Sequence, residues 1–433
     1  MFTFRQSTQA SSDDKRDGED QKIMLFELDT RGHHPGYVQH LVKYWCEQNL
    51  PGHLDVLVSQ KFMRQHFNIV DIALRCPQKT IKFVAITPEE EAMLFDSAKL
   101  ENSFTGRIQR AFQEWDLLRK YAVALGTTHC LIMYLDTILL RFALGTRFPC
   151  SFYGIYFRPI FHYNNFANYV PHRRERIWQL RDKVCLSRIL SYANFKTLFC
   201  LDSFAVEHIN KLDNYSRSVY LPDPVQIYTY TESQVEELKT NLDIASGRKV
   251  FILFGVLGRR KGISQLLEAV QMLPPNLAHK FCILLIGPIG LEEKELLHTR
   301  IAEISQSLPV QIICRHEFVT DQEIQPYFQI ADVVLAPYQR HIGMSAILVR
   351  AAAAQKPVLV SDFGLMGEMV RRYKLGLAVD STVPSEITKG FERFMLESSE
   401  TLCDYIKMKQ FAEQNTAEQY AKIIFCHLQA QSL

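Results

Sequence analysis

The sequence lacks several features that would assign it at sight. No apolar run reaches the eighteen or so residues a membrane span needs. Residues 5–22 are polar and charged, where a secretory leader would carry an apolar stretch. Neither sign of charge prevails: 49 Lys+Arg face 47 Asp+Glu, and a net charge of +2 lacks the basic excess of nucleic-acid binders. The ten cysteines are scattered without a Cys-x-x-Cys pair, which excludes a zinc knuckle and a thioredoxin-type motif. Most lie in apolar runs such as Phe281-Cys282-Ile283, as buried thiols of a reducing compartment do. These absences predict a soluble, cytoplasmic chain with no nucleic-acid partner.

What is present is an α/β pattern repeated twice. With 433 residues, 47% hydrophobic and 22% charged, the chain is globular and too long for one ordinary core. Ile23 to Leu28 reads as a strand, followed by the turn Arg31-Gly32-His33-His34-Pro35-Gly36 and a helical pattern through Leu41, Val42 and Trp45. Strands follow near 55–58, 81–86, 130–135, 152–157, 197–201 and 218–221, most of them separated by helical stretches. Leu221-Pro222-Asp223-Pro224 interrupts the pattern, because a proline-bracketed aspartate resists both helix and strand. A second series starts at Val250, with strands near 250–254, 281–286, 310–314, 332–335 and 357–360, and a helical stretch from Glu400 to Leu428 ends it. The reading is two doubly wound Rossmann-like domains facing a cleft, with ligands at the carboxyl ends of the strands. The predicted divisions are a tail (1–21), an acceptor-side domain (22–224), a nucleotide-sugar domain (225–405) and a helix packing back on the first domain (406–433).

Two motifs of the second series have the parts of an anion site. Gly258-Arg259-Arg260-Lys261-Gly262 follows its first strand: Gly258 and Gly262 allow a tight bend, a helix start offers free N–H groups, and Arg260 and Lys261 add positive charge. Further on, a strand ends at Pro337-Tyr338, and Gly343-Met344-Ser345-Ala346 feeds a helix rich in alanine (Ala351 to Ala354) that can lie close to the sheet.

In order and spacing these segments resemble family-4-like glycosyltransferases of the GT-B architecture. The residues that carry the resemblance are Lys261-Gly262, Leu266-Leu267-Glu268-Ala269, Ala331-Asp332-Val333, Pro337, Pro357-Val358, Gly364 and Glu368. The resemblance implies transfer of a hexose-type sugar from a nucleotide-diphosphate sugar to an acceptor hydroxyl, with retention of configuration. It implies donor contacts at Gly32, Gly36, Gly258, Arg260, Lys261, Gly343, Met344, Ser345, Ala346 and Arg350. Two positions depart from the family pattern: Ile342 and Arg350 stand where glutamates flank the donor loop, and an arginine cannot accept hydroxyl hydrogen bonds. Val256 likewise stands where the family tends to have an arginine.

Acid–base and acceptor candidates come from the first domain: His33 and His34 in the glycine turn, Asp136 and Arg158 at strand ends, and His162 nearby. No Asp-x-Asp metal clamp occurs, so no metal site and no cofactor beyond the donor are expected. The acceptor is left open as a glycan, a lipid or a small molecule. Residues 172–190 mix six basic residues with Ile177, Trp178, Leu180 and Val184, a pattern of a charged surface helix or of peripheral contact at the inner membrane face. A non-catalytic nucleotide-sugar-binding protein and a nucleotide-sugar epimerase are the alternatives on the same fold.

Overall fold

The computed structural model describes residues 21–98, 104–145, 147–166, 169 and 171–429. They form two compact units. The first takes the described residues of Met1–His162, His172–Leu221 and Glu418–Leu433, and the second takes those of Tyr163–Pro171 and Pro222–Ala417. Among the described residues, no helix is long and apolar enough to cross a membrane. The predicted tail lies outside the described residues, apart from Gln21.

The first unit is built on a parallel sheet of strands β1 (Lys22–Phe26), β2 (His53–Val58), β3 (Ile81–Ala85), β4 (His129–Ile132), β5 (Ser151–Tyr156), β6 (Phe195–Cys200) and β7 (Ser218–Tyr220). Their order across the sheet is β3-β2-β1-β4-β5-β6-β7. Strand β1 shows why its sequence is apolar throughout: Met24 and Phe26 enter the core on one face, while Ile23 and Leu25 enter the core on the other. Helices Phe104–Ala124, Leu135–Ala143 and Arg173–Leu190 supply the first core with Trp115, Phe142 and Leu186. Helix His34–Gln48 supplies the second core with Val38, Leu41 and Trp45, where Tyr420, Ile424 and Phe425 of helix Ala417–Gln429 join them. Each such side chain, fully buried, contributes about 1.5–3 kcal/mol.

The second unit repeats the plan with β8 (Lys249–Phe254), β9 (Phe281–Ile286), β10 (Gln311–Arg315), β11 (Val333–Ala336), β12 (Val358–Ser361) and β13 (Gly376–Val379). The order is β10-β9-β8-β11-β12-β13, again parallel. Sequence patterning missed β13, whose four residues are only partly buried at the sheet edge. It also read one long terminal helix where the chain forms three, Ser399–Leu402, Tyr405–Gln414 and Ala417–Gln429. Asp404 starts the middle one by accepting a hydrogen bond from the Lys407 N–H at 3.1 Å.

In each unit the strand order reverses beside the first strand, between β1 and β4 and between β8 and β11. Loops that leave the carboxyl ends of such neighbours diverge to opposite faces of the sheet and leave a crevice between them. Most of the candidate residues lie at these two points.

Candidate functional site

At the carboxyl end of the second sheet, the loop after β8 is fastened to the loop after β11 through main chain. The Gln339 N–H donates to the Arg260 carbonyl at 2.8 Å. Gly262 has φ +74°, and a methyl there would stand 2.3 Å from the Pro337 carbonyl oxygen, so only glycine allows the two loops this approach. The loop that leads to helix Ala346–Ala353 is pinned in the same manner. Gly364 has φ +71° and packs against the His341 and Ile342 carbonyls. The Leu365 N–H and the Tyr163 hydroxyl both donate to the Ile342 carbonyl, at 3.1 and 2.8 Å. Gly343, Met344, Ser345 and Ala346 are half-buried, and Ser345 caps the helix without a side-chain hydrogen bond.

The predicted cations of this edge separate into three roles. Arg260 is exposed in a turn of 3-10 helix that starts at Gly258. Lys261 is buried: its Nζ donates to the Phe254 carbonyl at 2.7 Å and to the Tyr338 hydroxyl at 2.6 Å, 4.3 Å from that ring's centre. It fits because Gly255 has no side chain and a methyl there would lie 3.1 Å from the ammonium. Lys261 thus braces the β8 and β11 ends instead of projecting from the turn, a correction to its reading as a charge offered directly to the donor. Arg350 needs a larger correction. Its guanidinium is bonded to Asp321 at 3.2 Å and to the Gln226 carbonyl at 3.4 Å, so it ties its helix to other parts of the unit instead of serving the Gly343–Ala346 loop.

At the carboxyl end of the first sheet lies a cavity of about 250 Å³, lined by Phe26 to Asp29 after β1, His33, His34, Arg110, Glu114, Tyr134, Thr137 and Arg158. Here the chemistry is in side chains. His34 Nδ1 lies 2.7 Å from Glu27 Oε2, and the other Glu27 oxygen accepts the Asp29 N–H at 2.9 Å. Burial raises the pKa of Glu27, and the bond to His34 only partly offsets this. Burial would lower His34, but the hydrogen bond and charge of Glu27, helped by Asp29 and Glu114, outweigh it and hold the imidazole above its ordinary value. The pair therefore keeps a shared proton to higher pH than a free histidine would. Across the cavity, Glu114 accepts from Arg110 at 2.7 Å and from the Thr137 hydroxyl at 3.0 Å. Arg158 is exposed and enters no ion pair among the described residues.

His33 stacks on His34 and Phe157 with ring centres 4.6 and 5.0 Å apart. Although its edge reaches solvent, desolvation by these rings, with the His34 and Arg158 charges, lowers its pKa to about 4 and leaves it neutral. His34, not His33, is thus the histidine with a carboxylate partner. His162 does not reach the site at all. Its side chain is 1% exposed, with Nε2 2.9 Å from Asp202 Oδ2, and Asp202 in turn caps helix Ser203–Asn210 through the Phe204 N–H. Asp136 lies in the first turn of a helix, not at a strand end, and accepts the Phe157 and Arg158 N–H groups at 2.9 and 3.0 Å. Burial, only partly offset by these bonds, raises its pKa to about 6. Gly32 has φ +62°, and a methyl on either Gly32 or Gly36 would meet nothing within 4 Å.

Sequence reasoning passed over Glu27, Arg110, Glu114 and Tyr338. Glu27 left a signal, the one charged residue inside the apolar run Ile23 to Leu28. Among the described residues, no group of three His, Cys, Asp or Glu side chains is placed to hold a metal ion.

Comparison with known proteins agrees with this geometry. Residues 234–416 match the family model of glycosyl transferases group 1. A curated relative, lipopolysaccharide 1,2-N-acetylglucosaminetransferase of Salmonella typhimurium, is 26% identical over 144 residues, a match spanning 33% of this chain and 38% of that protein. Among solved structures, the N-terminal domain of Candida albicans trehalose-6-phosphate phosphatase is similar over 100% of this chain and 99% of its own, with TM-score 0.65 and 12% identity. Anabaena HepE in complex with UDP is similar over 95% and 100%, with TM-score 0.62 and 14% identity. A UDP-forming α,α-trehalose-phosphate synthase from Burkholderia xenovorans, in complex with glucose-6-phosphate, is similar over 95% and 100%, with TM-score 0.61 and 12% identity. At these identities the structures establish the fold. The chain has the two-domain Rossmann-like GT-B fold, and within it residues 234–416 match a group 1 glycosyl transferase domain.

Proposed function

We propose that this chain transfers a hexose-type sugar from a nucleotide-diphosphate sugar to an acceptor hydroxyl, with the donor on the second unit and the acceptor in the cavity of the first. The observation that carries this reading is the second-sheet edge within the matched domain. There, two glycine-dependent loops present main chain, a helix start and the Arg260 charge at one strand-order reversal. UDP-sugars are the first donors to test, because HepE is solved with UDP and UDP-glucose and the Burkholderia synthase is UDP-forming.

On this reading Arg260 and the amides near Gly343–Ala346 take the negative charge of the leaving diphosphate. Lys261 holds the two loops at the spacing they need. The acceptor hydroxyl meets His34, whose proton balance is set by Glu27, with Arg158 and Glu114 orienting the rest of the molecule. Retention of configuration, and turnover without metal or a further cofactor, complete the proposal. A non-catalytic sugar-nucleotide binder is the second reading. It is favoured by Ile342 and by Arg350, which is tied to Asp321 where a ribose-binding carboxylate would be.

The test is incubation with UDP-, GDP- and ADP-sugars, with and without a glycan and lipid extract, in buffer with and without EDTA. Acceptor-dependent nucleotide release that survives EDTA is the expected result. Isomerisation of the sugar without release would make the chain an epimerase, and binding without turnover would leave the second reading. Lys261→Ala should weaken donor binding about tenfold. By freeing the Phe254 carbonyl and the Tyr338 hydroxyl, it should also cost about 1–3 kcal/mol of stability. Unchanged donor kinetics would move the phosphate site elsewhere.

A further inference from the structure

Helix Arg173–Leu190 has a second face that the fold does not use. Its inner face is set by Gln179, Asp182, Leu186 and Ile189, all buried at helical spacing against the first unit's core. On the opposite face, at i, i+3 and i+7, stand Ile177, Leu180 and Val184, which are 67, 65 and 60% exposed. Trp178 beside them is 44% exposed. Leu144, after the neighbouring helix Leu135–Ala143, is 62% exposed and followed by Gly145, which lies close to the Arg188 guanidinium. A helix packed on a sheet by one face ordinarily carries polar residues at these outward positions.

The surroundings of this stripe are cationic. Arg173, Arg176, Arg181, Lys183 and Arg188 are all exposed on the same helix. Of these, Arg181 is paired with Asp182 at 2.6 Å, and the rest enter no ion pair among the described residues. Beyond the Arg181–Asp182 pair, the acidic residues of the helix do not neutralise the patch. Asp182 is turned inward, and Glu175 is occupied at the helix start, where it accepts the His172 N–H at 2.8 Å.

We infer that this face docks the chain on an anionic lipid surface, with Ile177, Leu180 and Val184 entering the headgroup–acyl boundary and the basic side chains meeting lipid phosphates. An apolar stripe rimmed by cations matches both layers of such a surface, and long basic side chains reach the phosphates while their stems lie along the apolar boundary. A second copy of the chain does not complement the face, because an isologous contact would set each row of cations against its own like. Nucleic acid would answer the cations but leave the branched aliphatic stripe without a role.

The test is co-sedimentation of the full chain with vesicles of phosphatidylcholine alone and of phosphatidylcholine with phosphatidylglycerol. Pelleting is expected only with the second kind, weakening as salt is raised. The variant Arg173→Glu, Arg176→Glu, Lys183→Glu should lower binding by roughly a hundredfold or more at low salt. The variant Ile177→Asp, Leu180→Asp, Val184→Asp should lower it about tenfold or more and keep the wild-type circular dichroism, since these side chains pack against nothing in the core. Failure to pellet with anionic vesicles at low salt would overturn the inference, and so would undiminished pelleting of the aspartate variant. Self-association of the wild type that the aspartate variant abolishes, without vesicle binding, would assign the face to a second copy instead. None of these outcomes depends on whether the chain transfers sugar.

Discussion

At the carboxyl end of the second sheet the candidate site is assembled from main chain. Gly262 approaches the Pro337 carbonyl, Gly364 approaches the 341–342 carbonyls, and the buried Lys261 braces the loops through the Phe254 carbonyl and the Tyr338 hydroxyl. At the carboxyl end of the first sheet a methyl on Gly32 or Gly36 would meet nothing within 4 Å, though Gly32 holds φ +62°, and the chemistry lies in titratable side chains about a cavity. One edge is shaped by close main-chain approaches of its loops. The other has a Glu–His pair whose proton balance is adjustable. A surface of main-chain donors suits a charged group common to many donors, such as a diphosphate. A cavity of carboxylates, an imidazole and an exposed arginine suits one particular acceptor and the movement of its proton.

The largest effect should come from forcing a side chain into the main-chain site. Gly262→Ala sets a methyl against a backbone oxygen at 2.3 Å while holding φ at +74°. We expect a loss of about 3 kcal/mol in denaturant unfolding and nucleotide binding weakened at least about tenfold, because the two loops must part. Wild-type stability in this variant would show that the loops are loosely held, and the contrast between the two edges would fail there first.

The second effect addresses the first sheet's chemistry. His34→Gln keeps a hydrogen-bonding group beside Glu27 but removes the titrating ring, so kcat should fall about a hundredfold with little change in KM for the donor. The pH profile gives the sign. Glu27 holds the His34 pKa up, so Glu27→Gln should move the ascending limb of the rate to lower pH as the histidine loses its proton earlier. A limb that moves to higher pH, or does not move, would make the pair structural. In stability, Asp136 offers a separate check on this edge. Its pKa is raised from 3.8 to about 6, so the native state binds more protons than the unfolded chain between those values. The stabilisation is present below pH 3.8 and is lost as pH rises through about 6, and Asp136→Asn should abolish that slope.

How much of this was readable beforehand follows the same division. The twelve strands that sequence patterning found are those whose residues face a core on one or both sides, such as β1 and β9, and their apolar runs say so directly. Strand β13 escaped because an edge strand of four partly buried residues has no such run. The glycine turns were legible as places of tight approach, but not what each approaches: nothing local says that Gly262 meets Pro337, 75 positions on. The side-chain assignments were the least legible. His162 looked eligible by its nearness to a strand end, yet the end of β6 delivers Asp202 to it and buries both. Lys261 reads from sequence as one more positive charge of the turn, yet the missing side chain of Gly255 gives its ammonium a place inside. The Glu27–His34 pair spans the turn after β1, and its closure depends on Gly32 at φ +62°, a conformation that residue spacing does not reveal.

The smallest expected effect tests the permissive half of the comparison. Gly36 sits in the first turn of helix His34–Gln48, with no positive φ and nothing within 4 Å of an added methyl. Alanine is favoured over glycine within a helix by up to about 1 kcal/mol. At a helix start the gain is smaller, so Gly36→Ala should stabilise the chain by about 0.5 kcal/mol in urea unfolding. The residue does not line the cavity, so acceptor KM should be unchanged. The same substitution at Gly262 is expected to do the opposite, and the sign of the pair is the sharper measurement. If Gly36→Ala destabilises instead, the first turn needs its glycine as the second-sheet loops need theirs, and the two edges are built alike after all.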